Sequence, residues 1–100
     1  MTRSCALLGF LFAWVLWHEA TTTPKDGRAF TDWYLVGAEE TKKECSTLMR
    51  ATLVRSFGEY GDPSGFVTVG DTWAREKYES RTTTHQYWCL PNGTDPRPRP

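Results

Sequence analysis

Apolar and polar residues alternate in the stretch 32–40, DWYLVGAEE, and this alternation predicts a β-strand. Because side chains alternate between the two faces of a strand, Trp33 and Leu35 are expected on one face and Tyr34 and Val36 on the other. An indole buries a large apolar area and has only one N–H group to satisfy. Trp33 is therefore the candidate side chain for closing one end of a hydrophobic core.

Further β-segments are predicted after this first strand, which is expected to run from residue 30 to about residue 38. They rest on alternating apolar, β-branched and aromatic residues and cover 48–57, 66–78 and 81–88. Residues 39–47 carry charges without an apolar period and indicate a loop or a short helical turn. The segment 58–65, GEYGDPSG, has turn chemistry and suggests a hairpin, and Gly70 indicates a bulge or a bend.

The N-terminal 20 residues are expected to lie outside the fold. Arg3 lies in a short basic head, and the apolar run 5–17 that follows is too short to span a bilayer. This pattern predicts a secretory signal peptide cleaved after Ala20, although His18 is unfavourable three positions before the cut. A retained anchor or a hydrophobic N-terminal helix is the alternative. Three segments follow, namely a flexible lead at 21–29, a β-domain at 30–89 and a disordered Pro/Arg tail at 90–100.

Cysteine usage agrees with export. Cys5 would leave with the signal peptide, so the mature chain keeps Cys45 and Cys89 in an oxidising compartment, where an intramolecular disulfide is expected. Pairing of each cysteine with another chain remains the alternative. Asn92 opens the triplet Asn-Gly-Thr, a glycosylation acceptor in a secreted chain.

Charge and composition exclude several function classes. The chain has 12 basic and 12 acidic residues with no basic block, so nucleic acid is not an expected partner. No stretch after residue 20 is long and apolar enough to predict a membrane span. The aromatic content, with 5 Trp, 4 Tyr and 5 Phe, favours a core or a pocket lined by rings.

The residues do not indicate an enzyme, a metal site or a cofactor. His85 is the only histidine after the predicted cleavage point, and a lone histidine in a Thr-rich strand is typical of a solvated side chain. The sequence contains no G-x-S-x-G motif and no P-loop lysine, and it offers no second mature histidine for a metal. Glu39 and Glu40 are adjacent, and such neighbours usually point apart. No catalytic residue is predicted.

The order of these elements resembles the N-terminal half of a lipocalin over residues 30–88. The likeness rests on the strand WYLVGAEETK, a charged loop, a Gly-rich turn and the strand TWAREKYESRTTT. A lipocalin carries a G-x-W motif in its first strand, whereas Thr31 stands at the Gly position here. The resemblance implies a mostly β fold, an antiparallel β-meander like part of a lipocalin barrel, and a small hydrophobic ligand. The chain has about half the length of a lipocalin, which fits either a truncated form or a generic meander.

Two function classes follow. The first is a secreted carrier or scavenger of a small hydrophobic ligand, although ordinary core packing would also explain its candidate wall residues. These ligand-binding candidates are Trp33, Leu35, Leu53, Phe66, Thr68 and Trp73. The second is a secreted, disulfide-linked interaction module without a small ligand. Exposed edges of a half barrel would favour a protein partner or a homodimer.

Overall fold

The computed structural model describes residues 13–61 and 63–98. Within them, the chain forms five strands and one helix, and the fold is mostly β, as predicted. In chain order these are β1 (Trp14–Pro24), β2 (Phe30–Glu39), α1 (Lys42–Phe57), β3 (Val67–Val69), β4 (Trp73–Lys77) and β5 (Arg81–Pro91).

The strands form a single antiparallel sheet in the order β2-β1-β5-β4-β3. β1 and β2 are a hairpin, and β3, β4 and β5 are a meander that continues the sheet on the other side of β1. The sheet is open in the described part of the chain, because β2 and β3 lie at opposite edges. The prediction of an antiparallel meander is confirmed.

The strand β1, which lies inside the sheet between β2 and β5, comes largely from the predicted signal peptide. Residues 14–20 are seven of its 11 residues, and β1 pairs with β2 on one side and with β5 on the other. Leu16 is fully buried, and Trp17 and Ala20 are each 8% exposed. The expectation that residues 1–20 lie outside the fold is therefore wrong from Trp14 onwards, while residues 1–12 lie outside the described part of the chain. The lead predicted as flexible also contributes its first four residues, Thr21 to Pro24, to β1.

The predicted strand at 48–57 instead forms the last ten of the 16 residues of α1. Its start is fixed by a capping box, in which the Thr41 hydroxyl accepts from the Glu44 backbone N–H and the Glu44 carboxylate accepts from the Thr41 N–H. Cys45, Met49 and Leu53 follow at i, i+4 and i+8 and form the buried stripe. The alternation seen at 48–57 was thus one part of a helical period that begins earlier, in the segment predicted to be a loop.

Glycines end the helix and separate the last strands. Gly58, Gly61 and Gly65 all have positive φ, which confirms the turn chemistry predicted for 58–65, although the turn joins a helix to a strand and not two strands. The predicted strand at 66–78 is divided into β3 and β4. The backbone N–H of Gly70 donates to the Trp73 carbonyl at 2.8 Å, closing the turn between them.

The hydrophobic core lies between α1 and one face of the sheet, which we call the inner face. Its buried members are Leu16, Cys45, Met49, Leu53, Ala74 and Tyr87. A disulfide joins Cys45 of α1 to Cys89 of β5 and confirms the predicted bridge. No helix in the described residues is long and apolar enough to cross a bilayer.

The C-terminal segment is more ordered than predicted. Its first two residues, Leu90 and Pro91, belong to β5, and the chain then turns at Gly93, which has a φ of +95°. The segment 94–98, which we call the C-terminal tail, contains an ion pair in which Arg97 Nη2 lies 2.6 Å from Asp95 Oδ2. Residues 99–100 lie outside the described part.

Candidate functional site

A groove opens on the inner face where the helix ends. The ring of Phe57, the last residue of α1, lies 4.7 Å from the ring of His85, measured between centroids. Because α1 ends at Phe57, it does not cover the part of the sheet beyond this contact. A groove with a volume of about 440 Å³ lies there, and we call it the inner groove. It is lined by His18, Ala20, Thr22, Asp32, Tyr34, Thr83 and His85.

A chain of hydrogen bonds crosses three strands at one side of the inner groove. His85 Nε2 lies 2.6 Å from Glu76 Oε1, and His85 Nδ1 lies 2.8 Å from His18 Nε2. The hydroxyl of Tyr78 donates to the other carboxylate oxygen, Glu76 Oε2, at 3.0 Å. The ionised Glu76 carboxylate only accepts, so His85 donates to it from Nε2. One hydrogen bond joins His85 Nδ1 to His18 Nε2, and its direction depends on which of these two nitrogens carries the proton.

The surroundings keep His18 uncharged near neutral pH. Burial, and secondarily the neighbouring His85, lower the pKa of His18 from 6.5 to about 4. Burial alone would raise the pKa of Glu76, but hydrogen bonds from His85 and Tyr78 outweigh burial and hold this pKa below its ordinary value. Burial raises the pKa of Tyr87. The hydrogen-bond chain therefore joins a carboxylate to two imidazoles, and the imidazole of His18 is uncharged near neutral pH.

Aromatic rings form the rest of the site. The His18 ring stacks on Tyr87 with centroids 4.5 Å apart and an interplanar angle of 13°. The ring of Tyr34 is 5.3 Å from that of His18, and half of Tyr34 is exposed. Further along β1 and β5, the hydroxyls of Thr22 and Thr83 lie 3.2 Å apart and bond to each other. The inner groove thus offers ring surfaces to an apolar body and an uncharged imidazole at its side.

The six residues predicted to bind a ligand do not line the inner groove. Strand alternation places four of them, Trp33, Leu35, Thr68 and Trp73, on the opposite face of the sheet, which we call the outer face. Leu53 is fully buried in the core, and Phe66 is exposed just before β3. The prediction combined these residues because it treated 48–57 as a strand, whereas Leu53 lies on a helix.

The residues that do line the inner groove were missed for two reasons. His18, Ala20 and Thr22 were assigned to a signal peptide and a flexible lead, although Leu16, His18 and Ala20 share the spacing of one strand face. Tyr34 was placed correctly on the face opposite Trp33, but no function was attached to that face. The alternation of strand residues continues through the predicted cleavage point, and this continuation is the sequence signal that identifies β1.

Other predicted sites are accounted for by position. Asn92 is exposed in the turn after β5, so its side chain is accessible, and its glycosylation stays a prediction. Across residues 13–61 and 63–98, no three His, Cys, Asp or Glu side chains are grouped to hold a metal ion.

Comparison with known proteins adds no assignment. The chain matches no family model, no curated protein and no solved structure.

Proposed function

We propose that this is a secreted binding protein, without catalytic activity, that holds a small, largely apolar ligand in the inner groove. The observation that carries the proposal is the groove itself, which lies at the end of α1 and combines the half-exposed ring of Tyr34 with the uncharged imidazole of His18. Its volume of about 440 Å³ falls within the ordinary range of small-ligand pockets. The proposal retains the lipocalin-like role inferred from the sequence but replaces the barrel mouth with a groove beside a helix.

Binding is favoured over catalysis by the partners of the imidazoles. In the described residues, the hydrogen-bond partners of His18 and His85 are each other and Glu76, so neither ring activates a hydroxyl or a thiol. The hydrogen bonds of His85 to Glu76 and to His18 hold the two rings in place, which serves to orient a bound ligand. The Cys45–Cys89 disulfide supports an oxidising, extracellular location.

The proposal is tested with the neutral fluorescent probe N-phenylnaphthylamine. We expect a saturable rise in probe fluorescence on titration of the full chain, with one probe bound per molecule. Substitution Tyr34→Ala should weaken binding by about fivefold to tenfold, because it removes one ring of the groove, which corresponds to about 1–1.4 kcal/mol. The variant should keep its melting temperature, since half of Tyr34 is exposed.

A matched control is Tyr60→Ala, because Tyr60 is 86% exposed and lies outside the inner groove. This control should bind the probe as the wild type does. Absence of saturable binding by the wild type, or equal binding by Tyr34→Ala and the wild type, would contradict the proposal.

A second candidate function is association through the edge strand β2. β2 is ten residues long, and no strand within residues 13–61 and 63–98 pairs with its outer edge, whereas the opposite edge strand β3 has only three residues. Apolar side chains along β2 are exposed, with Phe30 at 53% and Leu35 at 63%. A long apolar edge strand invites pairing with another chain. We propose that a second copy pairs antiparallel along β2, as a homodimer.

The homodimer is tested by sedimentation of Leu35→Lys. We expect the wild type to sediment as a dimer at micromolar concentration. The dissociation constant of the Leu35→Lys dimer should be at least tenfold higher, because the lysine places a charge in the centre of the pairing edge. The matched control is Val54→Lys, since Val54 is similarly apolar and 38% exposed but lies on α1. A wild type that is monomeric, or two variants that weaken association equally, would exclude pairing along β2.

A further inference from the structure

The outer face of the sheet carries a cluster of tryptophans that the inner groove does not use. Its members, which we call the tryptophan face, are Trp17, Trp33, Trp73 and Trp88. Trp17 of β1 is paired directly with Trp88 of β5. In the next row, strand pairing connects Trp33 through Glu19 and Gln86 to Trp73, across four strands. At a strand spacing of about 4.8 Å this row is about 14 Å long, enough for several residues of an extended peptide.

The tryptophan face carries one carboxylate, that of Glu19, beside its indole rings. Trp88 is 42% exposed, and its indole N–H donates to Glu19 Oε1 at 3.0 Å. The indole N–H groups of Trp17 and Trp33 are buried without an acceptor among the residues described. These buried N–H groups are out of reach of a bound segment, so the two indoles offer such a segment ring surface.

The C-terminal tail lies on this face. The guanidinium carbon of Arg97 is 5.3 Å from the centroid of the Trp17 ring, in cation–π geometry. Pro96 is half-buried, whereas its neighbours Asp95 and Arg97 are exposed. The Asp95 carboxylate accepts from both Nε and Nη2 of Arg97, which holds the guanidinium plane in one orientation. One Pro-Arg pair of the chain is therefore seated on the tryptophan face.

A second arginine–tryptophan contact exists on the same face. The guanidinium carbon of Arg75 is 5.3 Å from the centroid of the Trp73 ring. The indole of Trp73 lies directly against Gly70, where any Cβ atom would collide with it. Only a glycine at position 70 leaves space for the ring of Trp73.

We propose that the tryptophan face is a docking surface for extended segments rich in Pro and Arg, and that the C-terminal tail is its replaceable occupant. Such segments fit because proline pre-forms an extended helix whose rings pack on aromatic surfaces, while the guanidinium group stacks on indoles. The Glu19 carboxylate adds charge complementarity to arginine. The partner defined by this chemistry is a Pro/Arg-rich segment of another chain.

Tethering explains how the tail can occupy the face with few contacts. A segment linked to its own site by a short connection has an effective concentration in the millimolar range. To displace the tail, a segment of another chain must therefore make more contacts with the tryptophan face than the tail does. Alternatively, it can bind to a chain in which the contact of the tail is weakened. Loss of one exposed arginine–tryptophan contact is expected to change the occupancy of the tail by about twofold to fivefold.

The test uses the full chain as wild type and as Arg97→Gln, together with a fluorescein-labelled peptide of the sequence DPRPRP. Fluorescence anisotropy measures peptide binding up to millimolar protein. We expect Arg97→Gln to bind the peptide about twofold to fivefold more tightly than the wild type, because its own tail no longer holds Trp17. A control peptide, DPQPQP, should bind both chains at least fivefold more weakly than DPRPRP. Equal affinity of the two chains for DPRPRP, or equal affinity of the two peptides, overturns the proposal.

Two further substitutions locate the binding surface. Introduced into Arg97→Gln, Trp88→Ala should weaken DPRPRP binding by about threefold or more, whereas Tyr34→Ala, on the inner face, should leave it unchanged. Far-UV circular dichroism checks that the folds are retained. If Trp88→Ala does not fold, the comparison of the two peptides on wild type and Arg97→Gln still decides the outcome. Peptide binding that falls with Tyr34→Ala and not with Trp88→Ala would assign the peptide to the inner groove and contradict the proposal.

Discussion

Removal of residues 1–20 is expected to abolish the folded state. The deletion takes away seven of the 11 residues of β1, the strand that joins β2 to β5. Leu16 is fully buried, and Trp17 and Ala20 are each 8% exposed. Truncation of one buried leucine or tryptophan costs about 2–5 kcal/mol, and loss of the strand pairing on both sides adds to that cost. A domain of this size has a total stability of about 5–15 kcal/mol, so the sheet should not survive.

The measurement compares chains 21–100 and 13–100 by far-UV circular dichroism and thermal melting. The control chain 13–100 keeps the whole of β1, and it should therefore melt cooperatively, whereas 21–100 should show no cooperative transition. A cooperative melt of 21–100 would mean that the residues after the predicted cleavage point form a sheet by themselves. The same result would make cleavage after Ala20 compatible with a folded product.

The conflict at the N-terminus shows why one apolar run supports two predictions. A run of 13 apolar residues after a basic head is typical of a signal peptide, and the rule concerns composition and length alone. The same residues from Trp14 onwards satisfy the alternation of a strand buried on both faces, with Leu16 inward and Trp17 outward. Local composition does not distinguish a signal peptide from a buried strand. The apolar run becomes a strand only when β2 and β5 pair with it, and that pairing is not a local property of the sequence.

Other elements could be predicted when their signal was local. The strand predicted from residue 30 to about residue 38 was found from alternation, and the last strand, predicted at 81–88, from its Thr and aromatic residues. The turn that contains Gly58, Gly61 and Gly65 was found from its turn chemistry. The helix was missed because its apolar stripe is narrow and its segment is polar, so its strongest local signal was the capping box of Thr41 and Glu44. The inner groove depended on long-range pairing, since His18 and His85 are separated by 67 residues.

Replacement of both bridged cysteines by alanine is expected to be the most destabilising change that leaves the backbone complete. The bridge joins positions 44 residues apart, and the chain-entropy model assigns about 4 kcal/mol to closure of a loop of that length. Cys45 is fully buried in the core, so the alanine also leaves a small cavity. At about 4 °C per kcal/mol for a domain of this size, the melting temperature should fall by roughly 16 °C or more.

The stability lost with the disulfide should appear first as a weaker contact between α1 and the sheet. α1 is held to the sheet by the disulfide and by Met49 and Leu53, and the end of α1 defines the inner groove through the contact of Phe57 with His85. Binding of N-phenylnaphthylamine should therefore weaken in Cys45→Ala/Cys89→Ala at temperatures where the chain is still folded. The matched control is Cys5→Ala, which leaves the bridge intact and should melt and bind the probe as the wild type does. A doubly substituted chain that melts within a few degrees of the wild type would show that the core packing of α1, and not the bridge, holds the helix in place.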